Sequence, residues 1–434
     1  MIKEIIKKIN NIELKNYHYL LIFVFSFFLI AIRRIDMLAY AQFWAEDGTI
    51  WFEDAYNMGL ISSFLTPVAG YLQTVSRLGG AFSLLFSLEY TPLVFNLTAI
   101  TFKILPILFI FSNRFKKILP GLWSKILISF AYIALPNTSE IFVNLTNVQW
   151  HLALLAFLII VATPSTKILW KIFDGFFIAL SCLSGPFCVF LFPVIILNYL
   201  WSDREKRKLL KINYTIYFTF SFIQFLFILN NAFGARGIQE TRYSFGIFIK
   251  LAAHQIYLGA LVGKEGYANI YNSTLHFNDL ISKLFSLFSF TTGTSIIIYS
   301  FIKGSKYLKL FIIFCFTTFV FSLIRPMVPV SELYSQWYSL SMPGHALRYF
   351  FFPMLAFLMS VIFLIGQKEK YIKILGISIM IIFIFGMKYE FFYKPWPDYE
   401  YKKQVQKIET AQTGELVKIK AMPKNWHKVN IYKK

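Results

Sequence analysis

The sequence has few charged residues. Asp, Glu, Lys and Arg make up only 15% of its 434 residues, whereas a soluble domain has about 25%. Hydrophobic residues account for 57% of the chain, and 50 residues are phenylalanine. Several apolar runs approach the roughly 20 residues that span a bilayer as a helix. This composition excludes an ordinary soluble protein and predicts an all-α polytopic membrane protein.

Acidic residues are scarcer than basic ones. The chain has 22 Asp and Glu against 43 Lys and Arg, which gives a formal net charge of +21. A charge of this size invites a nucleic-acid interpretation, but most of the cations lie in short clusters between apolar runs. Cations in that position are typical of the cytosolic connections of membrane proteins. We therefore expect membrane lipid as a partner and no nucleic acid.

Cysteines and familiar catalytic motifs are also scarce. Cys182, Cys188 and Cys315 lie in or near apolar runs, so we expect free thiols, with a Cys182–Cys188 bridge as the alternative. The sequence contains no HExxH, CxxC, Walker or GxSxG motif, and its six histidines are scattered. We expect no metal and no cofactor, although Glu46 and Asp47 could supply two oxygen ligands.

The apolar runs predict a bundle of about eleven transmembrane helices. They lie near residues 17–35, 92–112, 123–136, 148–163, 169–184, 186–201, 212–232, 279–302, 307–325, 346–366 and 371–388. Basic clusters occupy alternate connections, which places those connections in the cytosol. Segment 245–262 is apolar but contains Lys250, His254 and Gln255, so we interpret it as an interfacial or re-entrant helix. If it were a span, the orientation of everything after it would be reversed.

The longer connections are expected on the external side. They are 36–91, 137–147, 233–278 and 326–345. We divide the chain into a transmembrane domain, 1–388, and a small external C-terminal tail, 389–434. Pro395 and Pro397 end the last helix, and the tail is expected to contain a helix near 399–413 and a strand near 415–419. The working surface is therefore expected to face outward.

Two adjacent carboxylates begin the long first external loop, 36–91. Glu46 and Asp47 follow the first apolar run closely and are bracketed by Trp44 and Trp51. One interpretation is structural, with Asp47 capping a helix that begins near Ile50. The other interpretation is catalytic, because carboxylates held at a membrane exit can act as general bases. We take this loop to carry the active site.

Cationic and aromatic residues supply further candidates. In the first loop these are Tyr71 and Arg77, and Arg348 begins a span on the external side, close to His345. Each could be an ordinary interfacial anchor. Alternatively, the planar fork of an arginine suits phosphate oxygens.

A polar and aromatic cluster stands where the fourth predicted span begins. It contains Asn147, Trp150 and His151, together with Asn144 and Gln149. Amide and aromatic groups of this kind suit sugar hydroxyls. They also suit an ordinary interface belt, so composition alone does not decide between the two.

Several short motifs together resemble one family. Trp44-Ala-Glu-Asp-Gly48, the PVAGYL run from Pro67, and Arg77-Leu78 resemble the first external loop of GT-C-fold membrane glycosyltransferases that use polyprenyl-phosphate sugars. The closest resemblance is to the bacterial and phage-borne serotype-converting O-antigen glucosyltransferases. Shorter similarities lie at Asn147-Val-Gln-Trp150, at Leu347-Arg-Tyr349, and at Trp426 after Pro423.

The resemblance implies a GT-C-like bundle in the bacterial inner membrane with its active site facing the periplasm. Such an enzyme would move a sugar, expected to be glucose, from a polyprenyl-phosphate carrier to O-antigen or a related lipopolysaccharide glycan. Transfer would invert the anomeric centre. A donor-synthesising glycosyltransferase and a flippase would be functional partners.

The resemblance maps the catalytic carboxylate to Asp47 or Glu46, with Asp47 as the leading base. Combined with the residue chemistry above, it makes Arg348, Arg77 and His345 candidates for the donor phosphate. The candidates for substrate binding are Tyr71, Trp44, Asn147, Trp150 and His151.

Two alternatives to an enzyme stay open. The first is a transporter or flippase of lipid-linked sugars, although no internal repeat is evident and the polar residues are concentrated in external loops. The second is a structural partner in an envelope assembly. An enzyme changes the mass or linkage of a glycan, whereas a flippase changes only its amount or its side of the membrane.

Overall fold

The computed structural model describes residues 10, 12–231, 241–270, 272, 279–328, 334–424 and 426–434, and these are mostly helical. The helices are α1 Asn16–Arg33, α2 Asp36–Ala39, α3 Glu53–Met58, α4 Leu60–Phe64, α5 Thr74–Ser83, α6 Thr91–Phe111, α7 Leu122–Ala134, α8 Val148–Val161, α9 Ile168–Cys182, α10 Phe187–Leu200, α11 Arg204–Asn231, α12 Phe245–Leu251, α13 Gly259–Ile270, α14 Asp279–Lys303, α15 Lys306–Ile324, α16 Gln336–Ser341, α17 Phe351–Ile365, α18 Lys370–Gly386 and α19 Tyr401–Thr410. Wider π-helical turns occupy Asp47–Phe52 and Ala252–Leu258. Tighter 3₁₀ turns occupy Leu88–Tyr90, Asn113–Phe115, Leu347–Phe350 and Met387–Tyr389. The strands are β1 Leu416–Ile419 and β2 Val429–Tyr432.

The protein is a multi-pass membrane protein. Among the described residues, eight helices are long and apolar enough to cross a bilayer: Asn16–Arg33, Leu88–Phe111, Arg204–Asn230, Phe245–Ile270, Leu280–Lys303, Lys306–Ile324, Leu347–Ile365 and Lys370–Tyr389. Each of the eleven predicted spans corresponds to a helix, but several of these helices are short, so the count of eleven stays a prediction. The short helix α8 is buried along its whole length. A helix that is apolar on every side belongs at the centre of a bundle.

The bundle has two distinct faces. We call one the loop face, because it carries the first loop, the connection 137–147 and the tail. At this face the buried guanidinium of Arg33, at the end of α1, donates to the carbonyl oxygens of Ile133, Leu135 and Glu390. The opposite, turn face carries the short connections. There Arg114 forms a buried ion pair with Asp174 at 2.5 Å, and Lys306 donates to the carbonyl of Trp201.

The segment Phe245–Ile270 has both of its ends at the loop face. Next to its first residue, the Tyr243 hydroxyl donates to the carbonyl of Ile324, where α15 ends. Near its last turns, the backbone N–H of Glu265 donates to Glu390 at 3.1 Å. Gly263, with φ of +68°, kinks the helix, and a side chain there would collide with the Glu390 carboxylate. The segment is long enough to be a span, but these contacts agree with the interfacial or re-entrant interpretation.

The tail packs directly on the first loop. The two tail strands pair antiparallel, with Val417 opposite Ile431. The carboxylate of Glu53 accepts from the backbone N–H of Asn430 at 2.7 Å, and Gly48 lies so close to Val429 that a side chain there would collide with it. The tail helix and its first strand confirm the sequence prediction, whereas the second strand was not predicted. The loop and the tail thus form one layer over the bundle.

The prediction of free cysteines is confirmed, because Cys182, Cys188 and Cys315 are all free thiols and all buried. Parts of the connections 233–278 and 326–345 lie outside the described residues.

The two faces give a test of topology. In a background without native cysteines, Ser62→Cys and Lys407→Cys report on the loop face, and Lys117→Cys and Asp203→Cys report on the turn face. All four sites are exposed. Because the basic short connections should stay in the cytosol, an impermeant thiol reagent added to intact cells should label only the first two. Labelling of Ser62→Cys and Asp203→Cys from the same side would contradict the two-faced arrangement.

Candidate active site

A cavity of about 500 Å³ opens at the loop face. Its walls come from the first loop, the connection 137–147, the ends of α10, α15 and α17, and the tail. Residues at its lining include Trp44, Glu46, Trp51, Tyr71, Gln73, Glu140, Asn147, Gln149, Trp150, Arg325, Arg348, Tyr349 and Trp426. Its volume is in the range of ordinary ligand sites. Parts of the chain that are far apart in sequence therefore meet around one space.

An acid–arginine cluster forms one side of this cavity. Arg348 makes an ion pair with Glu140, and its backbone N–H donates to the other carboxylate oxygen of Glu140 at 3.0 Å. Glu46 is near enough to Arg348 and Glu140 for their charges to affect its pKa. Burial raises the pKa of Glu46, while the positive charge of Arg348 lowers it and the negative charge of Glu140 raises it. A carboxylate of this kind can take a proton from a neutral hydroxyl near neutral pH.

Asp47, in contrast, is buried beside the cavity and is absent from its lining. Its side chain is only 1% exposed. Its carboxylate accepts from the backbone N–H groups of Leu145 and Thr146, at 2.9 and 2.7 Å, and from the Thr146 hydroxyl at 2.6 Å. Burial raises the pKa of Asp47 to about 7, against the opposing effect of these donors. It makes no helix-capping hydrogen bond. The geometry therefore favours Glu46 over Asp47 as the base.

Arg77 is likewise held within the protein. It is 2% exposed, forms an ion pair with Asp54 at 2.5 Å, and donates to the carbonyl of Thr66 at 3.2 Å. Its guanidinium lies over the Trp51 ring, 5.0 Å from the centroid. Arg77 is not at the cavity lining. Arg77 is paired within the first loop and lies away from the cavity, so the phosphate contact predicted for it is not supported by its position.

Another part of the cavity wall, next to the acid–arginine cluster, is aromatic and amide-rich. Tyr71 and Trp150 line it, and Trp150 packs edge-on against Phe187 at 4.9 Å between ring centroids. Asn147 lines it too, but its side-chain amide donates to the Glu140 carbonyl at 3.1 Å. Gln149 completes this side. Flat rings beside amide groups are suited to a hydroxyl-rich ligand such as a sugar.

Trp44, His151 and His345, which were predicted to contact the substrate or its phosphate, lie in three different environments. Trp44 lines the cavity and stacks on Trp396 at 4.2 Å between centroids, so it joins the loop to the tail. His151 is buried, hydrogen-bonded to the Tyr132 hydroxyl at 2.8 Å and to the Ile141 carbonyl, and lies outside the cavity. His345 is exposed and also absent from the lining. The substrate role of His151 and the phosphate role of His345 are thus not supported by position.

Sequence reasoning missed two charged residues of the cavity. They are Glu140 and Arg325, which both line the cavity and were not among the candidates; Arg325 is also exposed. Both lie at the loop-face end of an apolar run, which was the signal that singled out Arg348. Applied to every run, that signal would have found them.

Glu46 and Glu140 are the two carboxylates among the described residues at the cavity lining. In the part of the chain that the structure describes, no group of three or more His, Cys, Asp or Glu side chains is placed to hold a metal ion.

Comparisons with family models, curated proteins and solved structures give no match for this chain. The functional argument therefore depends on the residues of the cavity and on the resemblance of short motifs.

Asp47 gives a stability prediction. Asp47→Asn replaces an acceptor oxygen with an amide nitrogen that faces backbone donors, so at least one buried N–H should lose its partner. We expect the free energy of unfolding to fall by on the order of 2–3 kcal/mol. A lower melting temperature of the purified protein, followed by tryptophan fluorescence, measures this.

The control for Asp47→Asn is Glu409→Gln, at an exposed position of α19, which should melt like the wild type. Equal melting of the Asp47→Asn variant and the wild type would show that the Asp47 hydrogen bonds do not stabilise the fold.

Proposed function

We propose that this protein is an inverting membrane glycosyltransferase of the GT-C type. It transfers a sugar, by resemblance glucose, from a polyprenyl-phosphate carrier to O-antigen or a related envelope polysaccharide. The observation that carries the proposal is one cavity, at one face of a membrane bundle, whose lining combines Glu46, Arg348 and an aromatic, amide-rich wall. A base, a cation and a sugar-binding surface are the three elements that this reaction needs.

Glu46 is the base in this mechanism. A sugar hydroxyl is a weak nucleophile at neutral pH, so its proton must leave as its oxygen bonds to the anomeric carbon of the donor. The Glu46 carboxylate takes that proton. Its raised pKa makes it a better proton acceptor than an exposed glutamate, and the positive charge of Arg348 favours its ionised form. Asp47 supports this role indirectly, because its hydrogen bonds to Leu145 and Thr146 fix the position of the backbone next to Glu46.

The leaving group is a polyprenyl phosphate, which gains negative charge as the bond from the anomeric carbon to the phosphate oxygen breaks. Arginines that face this charge stabilise the transition state. Arg348 and Arg325 line the cavity and fill this role in the mechanism. Glu140 holds the Arg348 guanidinium in place through their ion pair.

The location of the cavity suits a lipid-linked donor. It lies where helices of the bundle end, so a carrier lipid can keep its chain in the bilayer while its phosphate reaches the arginines. The basic short connections lie at the opposite face, which favours a cytosolic turn face and a periplasmic cavity. The membrane of residence is then the bacterial inner membrane, where a separate enzyme makes the donor and a flippase delivers it.

The test is a comparison of envelope glycans from cells that carry Glu46→Gln or the wild type. The Gln side chain keeps the shape but removes the base, so transfer should fall at least a hundredfold, which corresponds to roughly 3 kcal/mol of transition-state stabilisation. Mass and linkage analysis of the glycan measures this, with the membrane level and melting temperature of each variant checked alongside.

The matched control for Glu46→Gln is Glu89→Gln, in the same loop but paired with the exposed Lys402; it should keep full transfer. Full transfer by Glu46→Gln would remove Glu46 from the chemistry. If the wild type changed only the amount of glycan and never its mass or linkage, a lipid-linked-sugar transporter would replace the enzyme.

The charges around Glu46 predict how activity depends on pH. The acid limb of kcat/KM reports the pKa of the base in the free enzyme. Arg348→Gln removes a charge that lowers the Glu46 pKa, so activity should be lost at a higher pH than in the wild type. Glu140→Gln removes a charge that raises it, so the limb should move to lower pH. Rate profiles of the two variants measure this, and shifts in the same direction would contradict the assignment of Glu46 as the titrating group.

A further inference from the structure

A second cavity, of about 400 Å³, lies among α6, α7, α8, α15 and α17 and is separate from the candidate active site. Its mouth is at the turn face, where Ile118, Ser124, Ser305 and Gln367 line it. Its inner end reaches Tyr132 and Leu154, in the middle of the bundle. Nothing in the proposed reaction uses this space.

The lining of this cavity is almost entirely apolar. Leucine, isoleucine and phenylalanine side chains dominate it. The Tyr132 hydroxyl at the inner end is already hydrogen-bonded to His151 and to the Lys103 carbonyl. The Ser129 hydroxyl has no hydrogen-bond partner among the residues that the structure describes. A water molecule needs two to four polar partners to stay in a buried site, so the inner part of this cavity does not suit water.

An apolar space of this size is costly when empty, because its lining loses packing contacts. Hydrocarbon restores those contacts. The cavity lies inside a helix bundle that is surrounded by lipid, so the hydrocarbon available to fill it is a lipid acyl chain.

The mouth of this cavity is basic. Lys116, Lys117, Lys306 and Lys368 are each within two residues, in sequence, of a side chain that lines the mouth, whereas Lys125 is buried and donates to the Phe111 carbonyl. Within the described part of the chain, none of these four forms an ion pair with a carboxylate. Glu369 is the carboxylate adjacent to them in sequence. Lysines at the membrane surface attract anionic lipid headgroups.

We infer that this cavity holds one acyl chain of an anionic phospholipid from the leaflet at the turn face, with its headgroup among these lysines. The apolar walls select a hydrocarbon chain, and the lysines select a negatively charged headgroup. The site does not depend on the proposed glycosyltransferase activity.

The test uses native mass spectrometry of the full-length protein reconstituted with equimolar phosphatidylglycerol and phosphatidylethanolamine. The wild type should retain one phosphatidylglycerol, at least fivefold more often than phosphatidylethanolamine. Ser129→Phe, which places a ring in the cavity, should reduce retained lipid at least tenfold. Ser129→Ala, which leaves the cavity open, should retain lipid like the wild type.

A second variant keeps the test valid if Ser129→Phe does not fold. Ser124→Trp narrows the half-buried mouth without entering the core and should also lower lipid retention. Replacing Lys116, Lys117, Lys306 and Lys368 together by glutamine should keep a bound lipid but abolish the preference for phosphatidylglycerol.

Three results would overturn the inference. They are a wild type that carries only detergent, equal retention of the two lipids by the wild type, and wild-type retention by both Ser129→Phe and Ser124→Trp. Each of these results leaves the proposed active site untouched.

Discussion

The buried carboxylate of Asp47 is the contact on which the candidate site depends. It accepts three hydrogen bonds from Leu145 and Thr146, and the Thr146 hydroxyl in turn accepts one from the Trp51 indole at 2.9 Å. An anion removed from water persists only where donors replace the water. Here the donors belong to the connection 137–147, so the first loop is tied to the connection that carries Glu140. Asp47 and Glu46 are neighbours in sequence, but one is directed into the protein and the other lines the cavity.

The other walls of the cavity are connected to the first loop and to the connection 137–147 by further polar and aromatic contacts. Glu140 pairs with Arg348, which brings the start of α17 to the loop. Glu390, just after α18, accepts from the backbone N–H of Asn137 at 2.6 Å and from that of Glu265. Tail residues then cover the loop through Trp396 and Asn430. Buried charges therefore connect four distant parts of the chain at the loop face, while the turn face has its own buried ion pair, Arg114–Asp174, and the second cavity opens there between largely apolar helix surfaces.

The sequence was most informative where the signal was local. Apolar runs predicted the helices, because each run needs only its own residues to form one; the last of these helices ends at Gly386, ahead of the tail prolines. The sequence favoured Asp47 as the leading base, whereas the structure places Glu46 at the cavity, because the outcome depends on which side chain meets Leu145, about a hundred residues away. For the same reason the sequence could not reveal that Arg77 pairs with Asp54 and lies over Trp51. Nor could it reveal that His151 is buried against Tyr132. The reason for a glycine at position 48 is also visible only in the structure, because a side chain there would collide with Val429 of the tail.

The central claim is that the cavity at the loop face transfers a sugar from a lipid phosphate. The most direct test uses purified protein in vesicles with a polyprenyl-phosphate hexose, an O-antigen acceptor lipid and, in a parallel reaction, the matching nucleotide sugar without the lipid donor. The measurement is the mass of the acceptor. We predict a gain of one hexose with the polyprenyl-phosphate donor and none with the nucleotide sugar. An acceptor of unchanged mass in the first reaction, or a gain of hexose in the second, would contradict the account.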